Sequence, residues 1–95
     1  MELNELPGSE LILPGLADLH QGRNQTIGAL LIAIASIRLT AAGLDIPQVS
    51  LMSEPELALY AHLQNDRPSD AYSYYNALLN SLNSFCAALE LKSKY

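Results

Sequence analysis

The most apolar stretch of this chain is residues 26–42, which read TIGALLIAIASIRLTAA. At about 100° per residue, Ile27, Leu31 and Ile34 share one face of a helix, and smaller residues share the opposite face. A helix that is apolar all round is typical of the middle of a bundle. The uncharged run is shorter than the roughly 20 residues of a membrane span and ends at Arg38. We therefore predict a buried central helix and no membrane span.

Capping and stop signals divide the rest of the chain into three further helices. The expected helices cover residues 10–21, 26–42, 53–65 and 70 onward. Their expected N-caps are Ser9, then Thr26 or Asn24, then Ser53, then Ser69. Gly22 and Gly43 are the expected stops of the first two helices. Pro14 lies inside the first helix and predicts either a kink or a later start.

The third helix has the clearest start signal, Ser53-Glu54-Pro55-Glu56. In a capping box of this kind, the Ser53 side chain accepts from the N–H of Glu56, and the Glu56 side chain reaches back to the N–H of Ser53. Pro55 is tolerated in a first turn, where the N–H groups have no helical partners. The turn over residues 66–69 is short, which predicts that the third and fourth helices form an antiparallel hairpin.

These signals predict an all-α fold, a small four-helix bundle-like single domain over residues 1–95. The hydrophobic content of 49% supports one core. Residues 1–8 are expected to form an acidic, frayed lead, from which Leu3 and Leu6 can still dock on the body.

Charge and cysteine content exclude several classes of function. The net charge is −5, and the five cations are dispersed along the chain, whereas binding to nucleic acid needs clustered Lys and Arg. The N-terminus reads MELNE, which is acidic where a signal peptide is basic. Cys86 is the single cysteine, so no internal disulfide can form. We expect a cytoplasmic protein without a nucleic-acid partner.

The fourth helix carries the strongest indication of a partner. An uncharged face is predicted from Ser73, Asn76, Asn80 and Asn83. Composition alone favours an ordinary exposed face here. The alternative is an interface, because neutral amides form hydrogen bonds across a partner without the desolvation cost of charges. Tyrosines crowd the start of the same helix, and Tyr60 lies on the third helix. Tyr72 and Tyr74 are candidates for a contact patch or pocket rim, and we expect Tyr75 to be a core residue.

Arg38 is the charged residue whose place in the apolar stretch needs an explanation. A guanidinium in an apolar seam must reach water or pair with a carboxylate. We expect a structural ion pair with Asp18, Asp45 or Glu56. The alternative is that Arg38 holds an anionic ligand between helices.

Catalytic and metal-binding signals are weak. His20 and His62 lie on different predicted helices, and Cys86 falls in an apolar stripe where a small core residue is expected. We predict no metal, no cofactor and no enzyme activity. The leading hypothesis is a protein–protein interaction module, with a homodimer as the expected state. A binder of small anionic ligands through Arg38 ranks second, and an enzyme ranks third.

Overall fold

The computed structural model describes residues 5–47, 51 and 53–93, and all regular structure within these residues is helical. The helices are α1 (Ser9–His20), α2 (Ile27–Ile34), α3 (Ser36–Ala41), α4 (Pro55–Asp66) and α5 (Ala71–Ser93). The all-α prediction is confirmed for this part of the chain, with five helices in place of four. Leu6 is 4% exposed and belongs to the core. The expectation for Leu3 lies outside the described residues.

The helix predicted over residues 26–42 is two helices, α2 and α3, separated at Ala35. Ala35 has φ −106° and ψ 21°, which departs from α-helical geometry. Its N–H is shared between the carbonyl oxygens of Leu31 and Ile32, at 3.3 and 3.2 Å. The prediction of one helix was wrong because no Gly or Pro marks the break. After the break Arg38 is exposed instead of continuing the apolar face.

Thr26 caps α2 as expected, and its hydroxyl also ties α2 to α1. The Thr26 Oγ1 atom accepts a hydrogen bond from the N–H of Ala29 at 3.2 Å. The same hydroxyl donates to the Asp18 carboxylate at 2.9 Å. Gly22 and Gly43 follow α1 and α3 with φ of 82° and 105°, so both predicted stops are confirmed. A positive φ of this kind favours glycine.

The start of α1 differs from the prediction by one residue. Gly8, with φ 82°, is the N-cap in place of Ser9. The Gly8 carbonyl accepts from the N–H groups of Leu11 and Ile12 at 3.0 and 3.2 Å. The helix then runs without interruption through Pro14 to His20, so a later start at Pro14 is not observed.

The predicted caps of the last two helices were also wrong. Glu54, with φ 53°, is the N-cap of α4, and its side chain makes no capping hydrogen bond. Because Pro55 is then the first helical residue, Glu56 is the second and not the third, and the spacing of the capping box is lost. At α5, the N–H of Tyr74 donates to the carbonyl of Asp70 at 3.0 Å. Asp70 therefore precedes the helix in the position expected for Ser69.

Two glycines allow α1 and α2 to touch backbone to backbone. A Cβ atom built on Gly28 would lie 2.5 Å from the carbonyl oxygen of Leu11 and 2.7 Å from Cα of Gly15. A Cβ atom on Gly15 would overlap the carbonyl group of Gly28. Both positions are inside helices and have no positive φ, so the requirement for glycine is one of space and not of backbone conformation.

The approach of α1 leaves α2 buried among the other helices. The helix contacts α1, α3, α4 and α5. Four consecutive α2 residues, Ala29, Leu30, Leu31 and Ile32, are at most 1% exposed. The opposite wall of the core is the inner face of α5, where Phe85 is fully buried. No helix in the described residues is both long and apolar enough to cross a membrane.

We predict that Gly15→Ala and Gly28→Ala each destabilise the protein by at least about 2 kcal/mol. In an exposed helix interior the same change stabilises the protein by about 1 kcal/mol. The contact between α1 and α2 therefore reverses the sign of the expected change in stability. Urea unfolding followed by circular dichroism measures the difference.

The control is Gly22→Ala, which adds the same methyl group where no atom lies within 4 Å. Its loss should be limited to the left-handed strain of about 1–2 kcal/mol. Wild-type stability in either helix variant would contradict a backbone contact between α1 and α2.

Candidate functional site

The outer face of α5 is long, exposed and uncharged. No Asp, Glu, Lys or Arg occurs between Asp70 and Glu90. The residues predicted to form the neutral face, Ser73, Asn76, Asn80 and Asn83, are all exposed. They lie on the side of the helix opposite the buried stripe that includes Leu78, Leu82 and Phe85. The face can therefore offer hydrogen-bonding amides and small side chains to a partner, with no charge to desolvate.

At its N-terminal end, the outer face of α5 meets an aromatic groove. This tyrosine groove has a volume of about 330 Å³ and is lined by Glu56, Leu57, Tyr60, Tyr72 and Tyr75. Leu57 and Tyr72 are 67% and 68% exposed, which is unusual for large apolar side chains gathered at one place. Of the tyrosines singled out in the sequence, Tyr60, Tyr72 and Tyr75 line this groove.

Tyr60, Tyr74 and Tyr75 make different contacts in this region. The rings of Tyr60 and Tyr75 meet edge to face, with centroids 5.5 Å apart. Tyr75 is half-buried at the edge of the core, and burial together with the charge of Glu56 raises its pKa. Tyr74 does not line the groove, because its ring lies 4.1 Å from the guanidinium carbon of Arg67 in a cation–π contact. Of the two tyrosine candidates, Tyr72 is thus the one in the groove.

Arg38 forms an ion pair, but its partner is Glu90. The Arg38 Nε and Nη2 atoms donate to the two Glu90 carboxylate oxygens at 3.0 and 2.8 Å. This hydrogen bonding raises the pKa of Arg38. The predicted partners Asp18, Asp45 and Glu56 were wrong. Because α3 packs on α5, Arg38 instead meets Glu90, which lies 52 residues further along the sequence. Both side chains are about 40% exposed, so the pair is a surface link between α3 and α5.

An open cleft at the N-terminal end of α2 was not predicted from the sequence. It has a volume of about 590 Å³, and residues 22–27 and His62 line it. The His62 Nδ1 atom lies 3.3 Å from a carboxylate oxygen of Asp66, four residues along α4, yet it is buried without a well-aligned hydrogen bond. The spacing of four between His62 and Asp66 was the signal in the sequence.

The remaining titratable candidates do not gather into one site. His20 bonds through its Nε2 atom to the carbonyl of Asp45 at 3.0 Å, away from His62. Among the described residues, no three His, Cys, Asp or Glu side chains are grouped as metal ligands. Cys86 is 1% exposed within the core, and its burial raises the pKa of the thiol.

Comparison with known proteins adds no functional information. No family model, curated protein or solved structure matches this chain. The function has to be argued from the residues and the surfaces described above.

We predict that Cys86 reacts with a thiol reagent only after unfolding. Burial excludes the reagent and disfavours the thiolate that would react. Labelling at pH 8 should be at least about 100-fold slower in the native protein than in denaturant, which corresponds to an opening free energy of about 3 kcal/mol. Native labelling as fast as that of a free thiol would instead place Cys86 in an accessible, reactive environment.

Proposed function

We propose that this chain is a protein–protein interaction module that binds through the outer face of α5 and the adjoining tyrosine groove. The observation that carries the proposal is the exposure of Leu57 and Tyr72 in one groove next to a helix face without charge. The core of a protein interface is depleted of charged residues and enriched in Tyr. Both features occur together on this surface.

The chemistry of the surface suits a protein partner better than a small ligand. The groove is open and aromatic, and the face beside it extends along most of a 23-residue helix, about 35 Å in length. Small molecules are usually bound in more enclosed pockets with a few convergent polar groups. An extended neutral face is complementary to another helix or to a flat protein surface.

The proposal includes an arrangement of the helices. We infer that α4 and α5 run antiparallel as a hairpin, with α2 central in a bundle-like packing. The support is the three-residue turn 68–70 between α4 and α5 and the contact of α2 with all four other helices. In that arrangement the groove lies where the hairpin helices meet, and α2 keeps their inner faces in register. The single, buried cysteine supports a cytoplasmic location.

An anion-binding role for Arg38 has less support. Both carboxylate oxygens of Glu90 accept hydrogen bonds from the Arg38 guanidinium, so a ligand on that edge would have to displace a bidentate carboxylate. Arg38 lines neither the cleft at residues 22–27 nor the tyrosine groove.

The test is to add one negative charge to the neutral face without a change of shape. Asn80→Asp replaces an exposed amide by a carboxylate, and Gln64→Glu makes the matched change on an exposed position of α4. A buried, unpaired charge weakens an interface by several kcal/mol. We expect Asn80→Asp to weaken binding of whichever chain occupies the face by at least about tenfold, or about 1.4 kcal/mol.

Two measurements give the readout. Light scattering on a sizing column at two concentrations reports self-association, and affinity capture with quantitative mass spectrometry reports other partners. Binding that is lost in Asn80→Asp and kept in Gln64→Glu supports the proposal. Equal masses and equal partner sets for both variants and wild type would show that the face is ordinary surface.

A further inference from the structure

One stripe of exposed α5 residues has a symmetric spacing. The stripe, called the seam below, consists of Tyr72, Asn76, Asn80, Asn83, Ala87 and Leu91, all of them exposed. The successive intervals are four, four, three, four and four residues, so the spacing is the same in both chain directions. At about 100° per residue the six positions fall within an arc of about 100°. The centre of the seam lies between Ser81 and Leu82.

We infer that the seam binds the seam of a second copy of this chain, with the two α5 helices antiparallel around a two-fold axis. The inference rests on the proposed function and names the partner of the same surface. Residues that meet across an antiparallel helix pair have a constant sum of residue numbers. With the axis at the centre of the seam, Tyr72 meets Leu91 of the other copy, Asn76 meets Ala87, and Asn80 meets Asn83.

Charge favours a second copy as the occupant. A two-fold contact places identical surfaces together, which for a chain of net charge −5 brings like charges into proximity on most faces. The seam carries no charge, and Arg38 neutralises Glu90 next to its C-terminal end at 2.8 Å. Self-association through this uncharged stripe therefore avoids the like-charge repulsion that a two-fold contact through a charged face would bring.

The exposed apolar residues complete the argument. Within the part of the chain that the structure describes, the large hydrophobic side chains that remain exposed are Ile37, Leu57, Tyr72 and Leu91. Leu57 and Tyr72 share the tyrosine groove at the N-terminal end of α5. At the opposite end, Leu91 follows Glu90 in the sequence and Ile37 precedes its ion-pair partner Arg38. In a two-fold antiparallel contact, the apolar N-terminal end of one copy's α5 therefore lies against the apolar C-terminal end of the other copy's α5. Both apolar ends are then buried.

The area available indicates how strong the dimer is. The seam is about 29 Å long, and a helix is about 10 Å across, which gives a footprint of roughly 300 Å². A stable interface buries about 800 Å² on each partner, so the seam alone is insufficient and Leu57 and Ile37 must take part. Because the contact stays below that area even with these two side chains, we expect a weak and reversible dimer.

Disulfide trapping between single-cysteine additions tests the register. Asn80→Cys and Asn83→Cys are made separately, with a different tag on each, and are mixed under mild oxidation. Cys86 is retained, because it is buried, and wild type controls for any reaction of it. We expect the yield of the mixed 80–83 disulfide to exceed the yield of either homodisulfide. A mixture of Tyr72→Cys and Leu91→Cys should likewise form the mixed 72–91 disulfide in preference to the homodisulfides. The matched control is Gln64→Cys, which should not be trapped.

The outcomes separate this inference from the function on which it rests. A preference for the 80–80 and 83–83 homodisulfides would overturn the antiparallel register. The second copy would be overturned as the partner if the wild type is monomeric, no disulfide is trapped, and Asn80→Asp loses the binding of a different protein. That result would leave the interaction module intact. A monomer in which Asn80→Asp changes no binding would overturn both.

Discussion

The contact between Gly15 and Gly28 is the constraint on which the rest of this small fold depends. Side chains normally keep the backbones of two crossing helices apart, whereas here a Cβ atom built on Gly28 would lie only 2.7 Å from Cα of Gly15. The close crossing brings the carboxylate of Asp18 to the hydroxyl of Thr26 at the start of α2. The end of α1 is thus held beside the first turn of α2.

With one side of α2 occupied by α1, its remaining faces are available to α4 and α5, and a chain of this size needs all of them to build a core. The N-terminal segment adds a further fixed point, because Leu6 is buried and a Cβ atom on Gly8 would lie 2.7 Å from the carbonyl oxygen of Ser81. The middle of α5 is therefore held from inside. Its outer face has no role in the core, and its lack of charge has to be explained by something other than packing.

Local signals in the sequence predicted several local features correctly, although three of the four expected N-caps were wrong. The apolar stretch predicted the buried α2, Thr26 its cap, and Gly22 and Gly43 the ends of two helices. Features that depend on tertiary contacts could not be predicted from the sequence. Glu90 could not be identified as the partner of Arg38 across 52 residues, the break at Ala35 has no residue that marks it, and the box at Ser53 competed with a helix start at Pro55. Gly15 and Gly28 lie inside predicted helices, and their spacing does not show that they meet.

For the candidate site, the sequence indicated the exposed neutral face, and the structure added the groove that joins Tyr72 to Leu57 of another helix. The most direct test of the account is a nuclear Overhauser measurement between the Hα protons of Gly15 and Gly28 in isotopically labelled protein. The account predicts a strong cross-peak between these two glycines. Its absence, with both resonances assigned and the helices intact, would contradict the close crossing of α1 and α2 and the arrangement built on it.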